Sequence, residues 1–86
     1  MKSSVLKSLQ IIPGIGKSLA VDLYDLGIRQ VSDLKTQNPE KMYETLCNMR
    51  RAHIDRCVLY TFRCAVYFAS SIRHDPEKLK WWNWKD

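Results

Sequence analysis

No stretch of this chain is apolar for long enough to cross a bilayer. The longest apolar run, Cys57 to Ala69, is too short and has Arg63 inside it. No charged-then-apolar leader opens the chain, so secretion is not indicated and a cytoplasmic location, away from membranes, is expected. Cysteine is scarce, and Cys47, Cys57 and Cys64 do not look like a disulfide framework. Cys57 and Cys64 are seven apart on one expected helix, which separates their Cα atoms by about 10 Å, beyond bridging distance. Buried thiols in a reducing compartment are the simpler reading. A Cys-x2-Cys knuckle is also missing, so the spacing of Cys47, His53, Cys57 and Cys64 does not make a zinc site. The acids are scattered over separate elements and offer no pair for magnesium chemistry. His53 stands four residues before Cys57, yet no third group is placed to orient the imidazole of such a thiol pair. A non-enzymatic protein with no metal and no cofactor is expected.

With 86 residues the chain is one domain, and its apolar fraction of 45% is that of a globular protein, which excludes disorder. The net charge of +5 is uneven. Residues 1–20 carry Lys2, Lys7 and Lys17 with no acid, residues 21–49 sum to −2, and residues 50–86 sum to +4. Two basic ends brought together would form one anion-binding surface.

The stretch Leu9 to Ala20 organises the rest. Apolar residues on both sides of Pro13-Gly14-Ile15-Gly16 fit two short helices with a tight turn between them. Pro13 cannot continue the first helix, having no N–H and a ring that blocks the preceding turn. Gly14 and Gly16 are expected to take backbone angles that other residues resist, with Ile15 pointing inward between them. The amides of Gly16, Lys17 and Ser18 then become unpaired donors at the start of the second helix. Backed by the helix dipole, they favour a phosphate, and Lys17 adds a full charge.

Apolar-Pro-Gly-apolar-Gly followed by a basic residue and Ala resembles the helix-hairpin-helix motif, over Leu6 to about Leu26. The resemblance implies that hairpin amides hold DNA phosphates without reading sequence. It also permits a monovalent cation on the carbonyls near Ile12 and Ile15. Gly16-Lys17-Ser18 looks like the end of a P-loop too, but the first glycine of that motif would fall at Ile11 and no strand precedes it.

Along the chain, Ser3 or Ser4 is expected to cap a first helix that turns Val5, Leu6 and Leu9 inward. The second helix runs from about Lys17 to Leu26, ended by Gly27 with Ile28 folded back over it. Val31 and Leu34 mark a short third helix. Asn38-Pro39-Glu40 starts a fourth with Met42, Leu46 and Met49 inward. Arg50-Arg51-Ala52-His53 reads as a basic joint with no element of its own. The longest helix is expected from about Ile54 to Ile72, apolar around much of its circumference. Its wetter stripe, Arg56, Tyr60, Arg63, Tyr67, Ser70 and His74, reads as a solvated face whose rings shield the core, with phosphate contact as the alternative. Asp75-Pro76-Glu77 opens the tail with a helical turn. In Trp81-Trp82-Asn83-Trp84, Trp81 or Trp82 is expected to pack on the long helix and close the fold, with one ring left exposed, and base stacking on these rings between Lys80 and Lys85 is the alternative.

The expected fold is therefore all-α, with five to six helices. Residues 1–27 form the hairpin unit, 28–49 a degenerate second helical pair, and 50–86 the long helix and its tail. Ile-Pro-Gly-Ile-Gly-Lys-Ser, Asp-Leu-Gly-Ile, Asp-Arg-Cys-Val-Leu-Tyr and Lys-Trp-Trp-Asn-Trp-Lys-Asp resemble the small bacterial proteins labelled pathogenicity locus or mitomycin resistance. The expected activity is weak, sequence-blind DNA binding, with Gly14, Ile15, Gly16, Lys17 and Ser18 at the phosphate. Lys2, Lys7, Arg50 and Arg51 are the outer contacts. About 2–4 phosphate contacts correspond to dissociation constants near 10⁻⁴ to 10⁻⁶ M, falling with salt, so a homodimer or protein partner is expected to assist. The alternative is a protein-interaction adaptor using the long helix or the tryptophan tail, which Asp22 and Asp25 favour because they repel a DNA backbone.

Overall fold

Two cap-proline-acid signals and one glycine turn decide where the helices of this chain begin. The computed structural model describes residues 2–86, in which α1 spans Lys2–Leu9, α2 Lys17–Asp25, α3 Pro39–Arg50 and α4 Cys57–Ser70. Short 3₁₀ turns cover Val31–Thr36, Pro76–Leu79 and Trp81–Trp84, and no strand occurs among the described residues. The all-α expectation holds. The Asn38 side chain accepts from the Glu40 and Lys41 amides at 2.9 and 3.2 Å, which starts α3. Asp75 does the same for Glu77 at 2.9 Å. Ser3 and Ser4, expected as caps, lie inside α1 instead.

The core gathers Leu9, Ile12, Ile15, Leu23, Leu34, Leu46, Leu59 and Phe62, so every helix contributes to one apolar cluster. Phe62 is fully buried on α4, and truncating such a ring costs about 3–5 kcal/mol. The element at Val31–Thr36 is a 3₁₀ turn rather than an α-helix, stapled by a reciprocal bond pair between Gln30 and Asp33, with Leu34 driven inward. On α3 the buried face is Met42, Tyr43 and Leu46, whereas Met49 is 45% exposed. Tyr43 fills the inner position because its hydroxyl can donate to the Ile54 carbonyl. Arg50 belongs to the last turn of α3, and only Arg51 leaves it, in a left-handed conformation with φ 52°.

The long helix is shorter than its apolar pattern. Asp55 accepts from the Cys57 amide at 2.9 Å and so fixes the start, while Ser71 turns extended and leaves Ile72 fully exposed. Its stripe Arg56–His74 is solvated only in part: Arg56 and Ser70 stay exposed, while the C-terminal segment lies on Arg63 and Tyr67. Arg63 bonds the Trp84 carbonyl at 2.7 Å and the Asp86 carboxylate at 2.8 Å, and Arg56 also pairs with Asp86. Tyr67 meets Trp84 with ring centroids 5.5 Å apart and accepts from the Asp75 amide at 2.7 Å. His74 folds back over Phe68, 4.7 Å between centroids, and bonds its carbonyl.

Candidate functional site

The turn between α1 and α2 is fixed from beneath. Ile12 and Ile15 are buried, and the Ile15 amide donates to the Ile12 carbonyl at 3.1 Å. Ile15 therefore shapes the turn and does not offer its own N–H to a ligand. Gly14 takes φ +84°, the left-handed region that side chains resist. A Cβ there would stand 3.1 Å from both Thr61 Cγ2 and Trp81 Cδ1, so the backbone has been drawn close to α4 and the tail. Gly16 differs from the expectation. Its φ of −93° and ψ of −168° are ordinary extended angles, and no atom lies within 4 Å of where its Cβ would be. Gly16 is the N-cap of α2, open to solvent on the side away from the core.

Ala20 is the first residue of α2 whose amide closes onto the turn, donating to the Gly16 carbonyl at 2.9 Å. The amides of Gly16, Lys17, Ser18 and Leu19 find no acceptor among the described residues, and no side chain caps them. Leu19 is a donor that the sequence reading missed, although the position of the cap at Gly16 implies it. Gly16, Lys17 and Ser18 are exposed. Four bare donors, the positive end of a nine-residue helix and a lysine thus share one exposed end.

The outer cations do not all gather there. Lys2 lies over the Tyr24 ring at 5.1 Å, beside the far end of α2, and Arg29 stacks on the same ring at 3.6 Å. Arg50 bonds Asp22 and Asp25 at 2.8 Å each, so it is engaged within the protein and offsets one of their two negative charges. Arg51 follows it at that end. Lys7, in the last turn of α1, is the outer lysine nearest the turn in the chain.

A concavity lies elsewhere. An open cleft of about 610 Å³ lies between Pro39, Glu40, Arg63, Tyr67 and Trp84. Several of its polar groups are already paired, Arg63 with Glu40 at 3.0 Å and with Asp86, and the Trp84 indole N–H with the Lys78 carbonyl at 2.7 Å. The turn, with donors to spare, is the better candidate. The cysteines stand apart from it. Burial pushes the Cys64 thiol up to about 11 and raises that of Cys57, the reverse of what a nucleophile needs. No cluster of three or more metal-ligating side chains occurs among the described residues.

An all-helical protein built on a core-anchored glycine turn is the class that this architecture defines. The chain belongs to the Pathogenicity locus (Cdd1) family, whose model matches residues 2–86. It is also 27% identical, over 84 residues, to the mitomycin resistance protein McrB of Streptomyces lavendulae, covering 98% of this chain and 76% of that protein. No solved structure matches. Among the described residues, no helix is long and apolar enough to cross a membrane.

Proposed function

We propose that the α1–turn–α2 unit acts as a helix-hairpin-helix and binds DNA through backbone phosphate, without reading sequence. The observation that carries this reading is the row of bare amides from Gly16 to Leu19 beside exposed Lys17. Pro13, Gly14 and Ile15 hold the turn, while Gly16, Lys17 and Ser18 meet the phosphate, with Lys7 as an outer contact. Charge supports it as well. Arg50 offsets one of the two negative charges of Asp22 and Asp25, which lessens the repulsion that had favoured a protein-interaction role for this helix. The label of the Streptomyces lavendulae relative, mitomycin resistance, suits a role connected with DNA damage.

The test is titration of a labelled DNA duplex at two salt concentrations. Weak binding that falls with salt, equal on unrelated sequences and at least ten-fold weaker in Gly16→Asp, is the expected result. Tight binding indifferent to salt would contradict a phosphate grip. Partners recovered from nuclease-treated lysate, with no affinity for DNA, would favour the adaptor.

A further inference from the structure

The tryptophan tail has a feature that phosphate binding leaves unused. Trp84 is pinned by its indole bond to Lys78 and by its ring against Tyr67. Trp81 is closed over the turn, with its Cδ1 3.1 Å from the position of a Gly14 Cβ. Trp82 stands edge-on to Trp81, 5.7 Å between ring centroids, and remains 50% exposed. Its exposure is not that of a loose end, since both neighbouring indoles and Asp86 are held. Trp82 is thus fixed in place one aromatic ring away from Gly14. Ile11, in the same turn, is 67% exposed. Exposed apolar surface is therefore present in the turn, at Ile11, and one ring beyond Gly14, at Trp82.

We infer that Trp82 is a stacking platform for an unpaired base, so that this surface holds single-stranded or gapped DNA more tightly than intact duplex. The inference rests on the proposed phosphate grip of the hairpin and adds the base to it. A strand whose phosphate sits on the Gly16–Leu19 amides can continue past Gly14, on which Trp81 lies, toward Trp82. A paired base has its faces covered by its neighbours in the stack and cannot lie on an indole. An unpaired base can, and every base has a π-face, so the contact is blind to sequence, as the hairpin is. The chain's net positive charge matches the strand.

The experiment compares a short oligothymidylate with a duplex of equal length, using the full chain, Trp82→Ala, Trp82→Phe and Gly16→Asp. Trp82→Ala is expected to lower affinity for the single strand about 5- to 100-fold and to leave duplex affinity within about two-fold. Trp82→Phe restores most of the loss, because it keeps a ring. Gly16→Asp weakens both ligands. Circular dichroism confirms that each variant keeps its helices. Equal affinity of the wild type and Trp82→Ala for the single strand overturns the stacking role. If the duplex is still bound and Gly16→Asp still weakens that binding, the phosphate grip stands without it. Absence of binding to both ligands in the wild type overturns the grip and the stacking together. A concentration-dependent dimer that Trp82→Ala dissolves also overturns the stacking role, since the ring then belongs to an interface between copies.

Discussion

Gly16→Asp separates folding from binding, because the two respond to it with opposite signs. Gly16 has ordinary N-cap angles, φ −93° and ψ −168°, and nothing crowds its missing Cβ, so a side chain enters without strain. Aspartate is among the preferred N-cap residues, and glycine trails it by a few tenths of a kcal/mol. The new carboxylate would accept from the Ser18 or Leu19 amide and sit at the positive end of α2, adding about 0.3–1 kcal/mol. The expected sum is a protein more stable by about 0.5–1 kcal/mol, which raises the melting temperature of a chain this size by roughly 2–8 °C. DNA affinity moves the other way. The carboxylate occupies the donors that a phosphate needs and repels it at close range, at a cost of up to about 4 kcal/mol for an effective dielectric of 20. At least a ten-fold loss is expected in fluorescence anisotropy with labelled duplex at low salt. The slope of log K against log salt should become shallower by about 0.9 for each phosphate that the variant no longer neutralises. Gly16→Ser, a cap without charge, should keep the stability gain and lose less affinity. A melting temperature that rises while duplex affinity stays unchanged would refute the placement of phosphate on these amides. A fall in melting temperature would refute the cap itself.

The other glycine of the turn behaves differently: Gly14→Ala, at φ +84° with Thr61 and Trp81 3.1 Å from the new methyl, should cost about 1–3 kcal/mol in urea denaturation. Asp86 supplies a pH test. Bonds from Arg56 and then Arg63 hold its carboxyl below the ordinary value, so their stabilisation is complete above that value and is lost as pH falls through the lower, folded one. Asp86→Asn should therefore flatten the acid limb of the stability profile, and an unchanged limb would place the acid dependence on Asp33 and Asp55, which are depressed likewise. Cys64, with its thiol pushed up to about 11, should resist iodoacetamide at neutral pH in the folded protein and react once urea unfolds it. Rapid labelling of Cys64 in the native state would show that its position against the Lys78 carbonyl is transient.

Helix starts were legible where one residue's side chain sets them. Asn38 and Asp75 each announce a cap followed by proline, and both caps form. The Pro13–Gly16 turn was legible for the same local reason, as was Gly27, at φ +96°, with Ile28 buried behind it. Periodicity overreached where tertiary contacts decide. Nothing in Ile54-Asp55-Arg56 forbids helix, yet the Asp55 carboxylate and the Tyr43 hydroxyl claim that stretch and postpone α4 to Cys57. Arg50 looked like a free cation because its partners, Asp22 and Asp25, are 28 and 25 residues away. The stripe on α4 looked solvated because its cover comes from the tail. Periodicity within α4 cannot report a ligand supplied by Asp86, 23 residues beyond Arg63.

That cover ties the candidate site to the far end of the chain. Trp81 lies on Gly14, Trp84 lies on Tyr67, and Asp86 is held by Arg56 and Arg63, so one short segment spans from the turn to the opposite flank of α4. The left-handed Gly14 is thereby supported from outside its own hairpin. Loss of the tail's anchors on α4 should loosen the turn even though none of them touches it. Arg63→Ala tests this connection. It removes the Trp84 and Asp86 bonds together and leaves every residue of the turn intact. Faster amide exchange at Ile15, whose N–H closes the turn onto Ile12, is the expected signature, together with weaker duplex binding. If Ile15 exchange stays at its wild-type rate although the Arg63 bonds to Trp84 and Asp86 are gone, the hairpin is self-supporting and the tail serves only to cover α4.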